Sequence, residues 1–123
     1  SIIIIPELKN TKSLSEEQQK QKEGELILKE IHPGDTVVLL NEHGMELRSV
    51  EYAKWLKQKQ NIARRLVFII GCPYGFSPNI YARSNEKISL SRMTFSHQMV
   101  RLIFTEQLYR ACTIIKGEPY HHE

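Results

Sequence analysis

The chain has 123 residues, 41% of them apolar and 25% charged, with a formal net charge of +3. That length supports one globular domain with its own core, the charge is too small to mark a nucleic-acid binder by itself, and no apolar run approaches the ~20 residues of a membrane span. Two cysteines, Cys72 and Cys112, stand far apart with no CxxC pair, which argues against a zinc ribbon or a disulfide scaffold and for free thiols in a reducing, cytoplasmic setting.

In chain order, Ile2–Ile5 is a β-branched run that suits a strand covered on both faces, and Pro6 ends it. The chain begins without an initiator methionine, in the middle of that strand. After a polar loop, Ser15 precedes Glu16, Glu17 and Gln18, a capping-box spacing that predicts a helix to about Ile31. Its many Lys and Glu residues read as a solvated face. His32-Pro33-Gly34-Asp35 predicts a turn and Thr36–Leu40 a buried strand, with a loop at Asn41–Gly44. Ser49 reads as the N-cap of a helix through Trp55 and Leu56 to about Gln60. Leu66–Ile70 is the next strand, and Ser77-Pro78 opens a short helix to about Arg83. Lys87–Leu90 is a further strand, Ser91–Ser96 a loop, and His97–Lys116 a long helix with an apolar stripe at Val100, Ile103, Phe104, Leu108, Ala111 and Ile115. The chain ends Glu118-Pro119-Tyr120-His121-His122-Glu123. Strands alternating with helices predict one domain, 1–123, of the α/β class with a parallel sheet.

The loops Leu40–Gly44, Gly71–Ser77 and Leu90–Ser96 each follow a strand of that sheet, at the edge where such folds bind ligands. Neither GxxxxGK[ST] nor a helix-opening GxGxxG is present, which argues against a phosphate-cradling loop and a dinucleotide fold. Gly71 is useful where backbone must approach a ligand, although a glycine there also simply shapes a turn. Arg101, Tyr109, Arg110, Tyr120, His121 and His122 offer charge and stacking surface suited to RNA, and Arg92 lies inside the last loop. The plainer reading of the tail is a frayed terminus. Two adjacent histidines do not build a metal site unaided, so no metal is expected.

Together, Gly71-Cys72-Pro73-Tyr74-Gly75-Phe76-Ser77, the run LSRMTFSHQMVR from Leu90 to Arg101, EQLYRA from Glu106 to Ala111, and the tail EPYHHE resemble the RlmH-like family of SPOUT methyltransferases. The resemblance is dense from about Pro6 to the end of the chain. It implies a C-terminal trefoil knot, an obligate homodimer, and a further strand and helix ahead of Ser1, so that the domain given is N-terminally incomplete. It implies S-adenosylmethionine-dependent methylation of N3 of a pseudouridine in 23S ribosomal RNA, in the large subunit or the assembled ribosome. By the same resemblance the methyl donor is held at Leu40, Gly71, Leu90, Ser91, Arg92, Met93, Thr94 and Phe95, and the tail, with Tyr120 and His121, folds over a cofactor site that the partner subunit completes. Sulfonium methyl transfer depends mainly on positioning, but the target N3–H must lose its proton. His97, at the start of the long helix, is the economical candidate for that role or for orienting the substrate. The family's usual Gly-Gly stands as Gly71-Cys72 here, and Cys72 reads as a small apolar filler, since a ring nitrogen needs no covalent activation. The alternatives are a non-catalytic RNA-binding protein with the same fold and a small α/β nucleotide-binding regulator.

Overall fold

The computed structural model describes residues 2–5, 16–70, 76–91 and 95–122, and of residues 5, 16, 17, 19, 42 and 97 the backbone alone. The elements are β1 (Ile2–Ile5), α1 (Glu16–Glu30), β2 (Thr36–Glu46), α2 (Ser49–Ile62), β3 (Leu66–Ile70), α3 (Pro78–Arg83), β4 (Glu86–Ser89) and α4 (His97–Lys116). Among the described residues four strands form one sheet in the order β1-β3-β2-β4, and their pairings are parallel. This is the expected α/β architecture. The loops flanking α3 and β4 include residues 71–75 and 92–94, which lie outside the described residues, and the knot expected from the resemblance is not traced.

The strand sequences explain their central place. All five residues of β3, Leu-Val-Phe-Ile-Ile, are buried, as a strand covered on both faces requires. Leu66, Phe68 and Ile70 face one layer with Val38, Leu40 and Ile88, packed under Tyr52, Trp55 and Leu56 of α2 and Phe104 and Ala111 of α4. Val67 and Ile69 face the other with Val37 and Leu39, under Ile27 of α1, Ile80 of α3 and Phe76. On the first face an aromatic chain crosses the core: Tyr52 stacks on Trp55 at 5.7 Å, Trp55 meets Phe68 at 6.1 Å, and Phe68 meets Phe104 at 4.9 Å. Full burial of a phenylalanine such as Phe104 contributes about 1.5–3 kcal/mol. Burial also pushes the Tyr52 phenol above its ordinary pKa, with the neighbouring Cys112 thiol adding to the effect.

Three boundaries differ from the sequence reading. Strand β4 starts and ends one residue earlier than predicted, which is within ordinary fraying. Ser49 is the first helical residue, not the cap: Arg48 holds the cap position, and its backbone N–H donates to Glu51 Oε1 at 2.9 Å. The largest difference is β2, which continues to Glu46. Ile88 is in register with Leu40 and again with Met45, so the chain returns to β4 after the 41–44 segment. Gly44 lies directly on the β4 backbone there. A Cβ at this position would fall 2.7 Å from Ile88 N and from Lys87 C. This glycine is required by close approach.

At the opposite end of the sheet, Asp35 ties four elements together. Its Oδ2 accepts from the His32 backbone N–H at 2.8 Å, from Arg65 Nε at 3.2 Å and from Arg65 Nη2 at 3.0 Å. Arg65 Nη2 also donates to the Glu30 carbonyl at 2.6 Å, and Arg83 Nη2 donates to the carbonyls of His32 and Asp35. Asn85 Oδ1 accepts from the Val37 N–H at 2.7 Å. Burial raises the Asp35 pKa, but the His32 N–H and the Arg65 guanidinium together outweigh it and hold the carboxyl below its ordinary value.

Two outcomes follow. Gly44→Ala is expected to cost about 1–3 kcal/mol in urea denaturation, because the rigid β4 backbone must shift to admit the methyl group. Asp35→Asn is expected to cost about 1–2 kcal/mol at neutral pH. Since the folded pKa of Asp35 is depressed, its contribution is complete above the unfolded value near 4 and fades as pH falls through the folded one. The difference between wild type and variant therefore shrinks in acid. An unchanged difference at pH ~2.5 would count against the network.

Candidate functional site: the strand ends and the C-terminal tail

The register that pairs β3 with β2 sets Leu40 beside Ile70, and the register with β4 sets Leu40 beside Ile88. β3 therefore ends level with Leu40, and β4 ends one residue past Leu40's partner Ile88, beside the irregularity after which β2 runs on to Glu46; the carboxyl ends of strands are where open α/β sheets bind ligands. Of the residues expected to hold a cofactor, Leu40 is buried, Leu90 and Ser91 are half-buried and Phe95 is exposed. The Ser89 hydroxyl donates to the Ser91 carbonyl at 2.9 Å, which turns the chain sharply as it leaves β4. Gly71, Arg92, Met93 and Thr94 lie outside the described residues, as does Cys72. The same edge carries Asn41, whose Nδ2 donates to the Tyr81 hydroxyl at 3.1 Å.

α4 starts at this edge. Ser96 caps it, its Oγ accepting from the Met99 N–H at 3.4 Å, and His97 is the first helical residue. Its far end closes on Gly117, whose φ of 74° is the left-handed conformation that glycine adopts freely. The Glu118 N–H then donates to the Thr113 carbonyl at 2.9 Å, which folds the tail back.

The tail packs on α4 through a connected set of contacts. The Tyr120 ring meets the Tyr109 ring edge-on at 4.9 Å, and Arg110 Cζ lies 4.9 Å from the Tyr120 centroid. The Tyr120 hydroxyl donates to Glu106 Oε1 at 3.3 Å. Arg110 Nε and Nη2 donate to the same oxygen at 3.0 and 2.6 Å, while Arg110 Nη1 lies 3.0 Å from His121 Nδ1. Gln107 Nε2 donates to Glu106 Oε2 at 3.0 Å, and the Ser49 hydroxyl donates to Gln107 Oε1 at 3.2 Å, which ties α2 into the network. The hydrogen bond to Glu106 holds the Arg110 guanidinium above its ordinary pKa, so it stays cationic.

The expected site residues thus fall into two groups. Tyr109, Arg110, Tyr120 and His121 come together around Glu106. Leu40, Leu90, Ser91 and Phe95 gather at the strand ends, where α4 begins with the His97 backbone. Ten residues separate Ser96 from Glu106, about 15 Å of helix, so the tail anchors well away from the cofactor edge of its own chain. Arg101 and His122 are exposed. Sequence reasoning missed Glu106 as the centre of the tail, although its i,i+4 spacing to Arg110 was readable. It also missed the outward apolar face of α4. Met99, Leu102 and Tyr109 share one side of the helix, 45%, 63% and 54% exposed, opposite the face that buries Phe104 and Ala111, and Phe95, just ahead of the cap, is 37% exposed. Among the described residues no group of three His, Cys, Asp or Glu side chains is placed to hold a metal ion, and no helix is long and apolar enough to cross a membrane.

A family model described as "Predicted SPOUT methyltransferase" matches residues 1–121. The chain is 68% identical over 121 residues to the Ribosomal RNA large subunit methyltransferase H of Bacteroides fragilis, and 69% identical over 121 residues to that of Phocaeicola vulgatus. The protein of the same name from Flavobacterium psychrophilum is 58% identical over 121 residues. In each comparison the match covers 98% of this chain and 77% of the relative.

Proposed function

This chain belongs to the SPOUT methyltransferase family, and from that premise we propose that it is a homodimeric enzyme that methylates N3 of a pseudouridine in 23S ribosomal RNA with S-adenosylmethionine as donor. The observation that carries the reading is 68% identity over 121 residues to a relative named for large-subunit ribosomal RNA methylation. The ends of β3 and β4 beside Leu40 support this reading.

The residues present fit the donor. Its adenine and sulfonium groups need apolar contact and backbone hydrogen bonds, and the edge offers buried Leu40, half-buried Leu90 and Ser91, and exposed Phe95 beside the carboxyl ends of β3 and β4. Leu40, Gly71 and the run 90–95 are the residues assigned to hold it. When bound, S-adenosylmethionine supplies a methyl group already activated by its sulfonium. What this chain contributes is position: α4 directs its first turn, with His97, toward the edge where the target base would enter. His97 is assigned to hold or remove the N3 proton, and Tyr120 and His121 to cover the base. Arg92, Arg101, Tyr109, Arg110 and His122 are assigned to the RNA side, Arg101 and His122 from exposed positions.

A second copy supplies what one chain lacks. The outward face of α4 exposes Met99, Leu102 and Tyr109, and exposed Phe95 stands just ahead of the helix, so that Phe95 and Tyr109 each lie seven residues from Leu102. A two-fold axis through Leu102 would set Phe95 of one copy level with position 109 of the other. The tail anchored near Arg110 would then lie over the neighbour's strand ends.

Large ribosomal subunits from cells lacking this gene, incubated with the protein and S-adenosylmethionine, are expected to gain one methyl group on a single pseudouridine-containing fragment by mass spectrometry. Calorimetric binding of S-adenosylmethionine without methyl transfer would favour the RNA-binding alternative, and no binding at all would end the donor assignment. For the dimer, light scattering is expected to give twice the 14.4 kDa chain mass. Leu102→Glu, at a position 63% exposed in one chain, is expected to shift the protein to monomer with its circular dichroism unchanged. A wild-type monomer at micromolar concentration would overturn the dimer.

A further inference from the structure

The segment that follows Leu40 meets α3, on the layer opposite α4. Asn41 Oδ1 accepts from the His43 backbone N–H at 2.8 Å, which turns the chain and uses that oxygen. The amide therefore turns its Nδ2 to the Tyr81 hydroxyl, 3.1 Å away, and the hydroxyl oxygen is the acceptor. The Tyr81 O–H proton is left for an acceptor outside this pair. Gly44, one residue past His43, lies against the backbone of Lys87 and Ile88, which brings the segment onto β4.

The Tyr81 ring has two further neighbours. Buried Phe76 meets it at 5.7 Å with the ring planes at 87°, and Lys87 Nζ lies over it, 5.1 Å from the centroid. The ring nevertheless stays 36% exposed, and Lys87 is exposed beside it. Among the described residues no carboxylate pairs with Lys87. Core packing accounts for Phe76, which closes the layer under α3. It does not account for an aromatic ring kept at the surface in one orientation, with a cation over its face and an O–H donor unspent.

We propose that Tyr81 and Lys87 form a docking point for an RNA nucleotide flanking the target base, the base stacking on the Tyr81 ring and the phosphate meeting Lys87. This assignment rests on the methyltransferase reading above. An aromatic face with a cation and an O–H donor beside it is the combination that holds an unpaired nucleotide. An exposed contact between an ammonium and a ring is weak, so Lys87 can swing from the ring to a phosphate and leave that face to the base. Asn41, which holds the Tyr81 hydroxyl, directly follows Leu40, a residue assigned to the methyl donor. The docking point therefore stands beside the edge where the target base enters.

Large ribosomal subunits from cells lacking this gene serve as substrate and as binding target, with binding followed by co-sedimentation over a range of salt concentrations. Tyr81→Leu is expected to weaken subunit binding and raise the KM for subunits by about tenfold, with kcat and S-adenosylmethionine affinity within about twofold of wild type. Tyr81→Phe, which keeps the ring, is expected to stay within about threefold in both. Lys87→Gln, at an exposed position, is expected to reduce the slope of log affinity against log salt by about 0.7–1 with the fold intact. Unchanged subunit binding in a folded Tyr81→Leu would overturn the proposal. So would an unchanged salt slope in Lys87→Gln, equal losses in Tyr81→Phe and Tyr81→Leu, or a loss confined to S-adenosylmethionine affinity. Should Tyr81→Leu fail to fold, the salt slope of Lys87→Gln decides alone. A wild type that binds subunits but transfers no methyl group, with binding weakened by Tyr81→Leu, would uphold the RNA contact and sink the enzymatic reading instead.

Discussion

A parallel sheet buried on both faces leaves polar chemistry one place to go, the ends of its strands. Here the register decides where that place is. Leu40 is level with Ile70 on one side and with Ile88 on the other, so β3 and β4 end beside the irregularity in β2. A shift of one residue in either pairing would turn every side chain of the strand to the opposite layer. The separate packing of Val38, Leu40, Phe68 and Ile70 on one face and Val37, Leu39, Val67 and Ile69 on the other forbids it. The core thus sets the geometry of the edge, although its side chains take no part in chemistry.

The cations are divided in a way the net charge conceals. Arg65 and Arg83 are committed to the amino end of the sheet, where they satisfy Asp35 and three backbone carbonyls. Asp35 is buried, and its carboxylate left without these partners would cost about 1–3 kcal/mol. Arg110 is committed to Glu106 and the tail. What remains exposed on α4 is Arg101 and Lys116, with His122 beyond the helix. The net charge of +3 by itself does not tell which cations are spent inside the fold.

Much of this was legible in the chain. The apolar runs at Ile2–Ile5 and Leu66–Ile70 both marked strands, but full cover holds for β3 and not for β1, where Ile2 and Ile3 are half-buried and Ile4 is exposed. The Pro78 start of α3 and both bounds of α4 followed from local chemistry. The failures share a cause. The extension of β2 to Glu46 is driven by pairing with β4, some forty residues away, and Asn41-Glu42-His43-Gly44 carries only turn residues. Gly44 looked like a turn former, but the backbone of Ile88 is what demands it. Ser49 has the chemistry of a cap, yet its hydroxyl is drawn to Gln107 on α4 while Glu51 serves the Arg48 N–H. Glu106 was hidden in the same way: a Glu–Arg pair on a helix is ordinary, and its importance comes from the tail that folds onto it.

The placement of the tail carries the last step. α4 is a single stiff helix of 20 residues, and its core face is fully used by Phe104, Ala111 and their neighbours. Its amino end follows β4, and its tail is pinned near Arg110, roughly 20 Å further along. Gly117 reverses the chain only far enough for Tyr120 to reach Tyr109 and Glu106. The contacts made by Tyr120 and His121 hold that part of the tail at the level of Glu106 and Arg110, away from the strand ends of the same chain. In the homodimer proposed above, a second copy seated on the outward face of α4 would bring its own strand edge within reach of that tail.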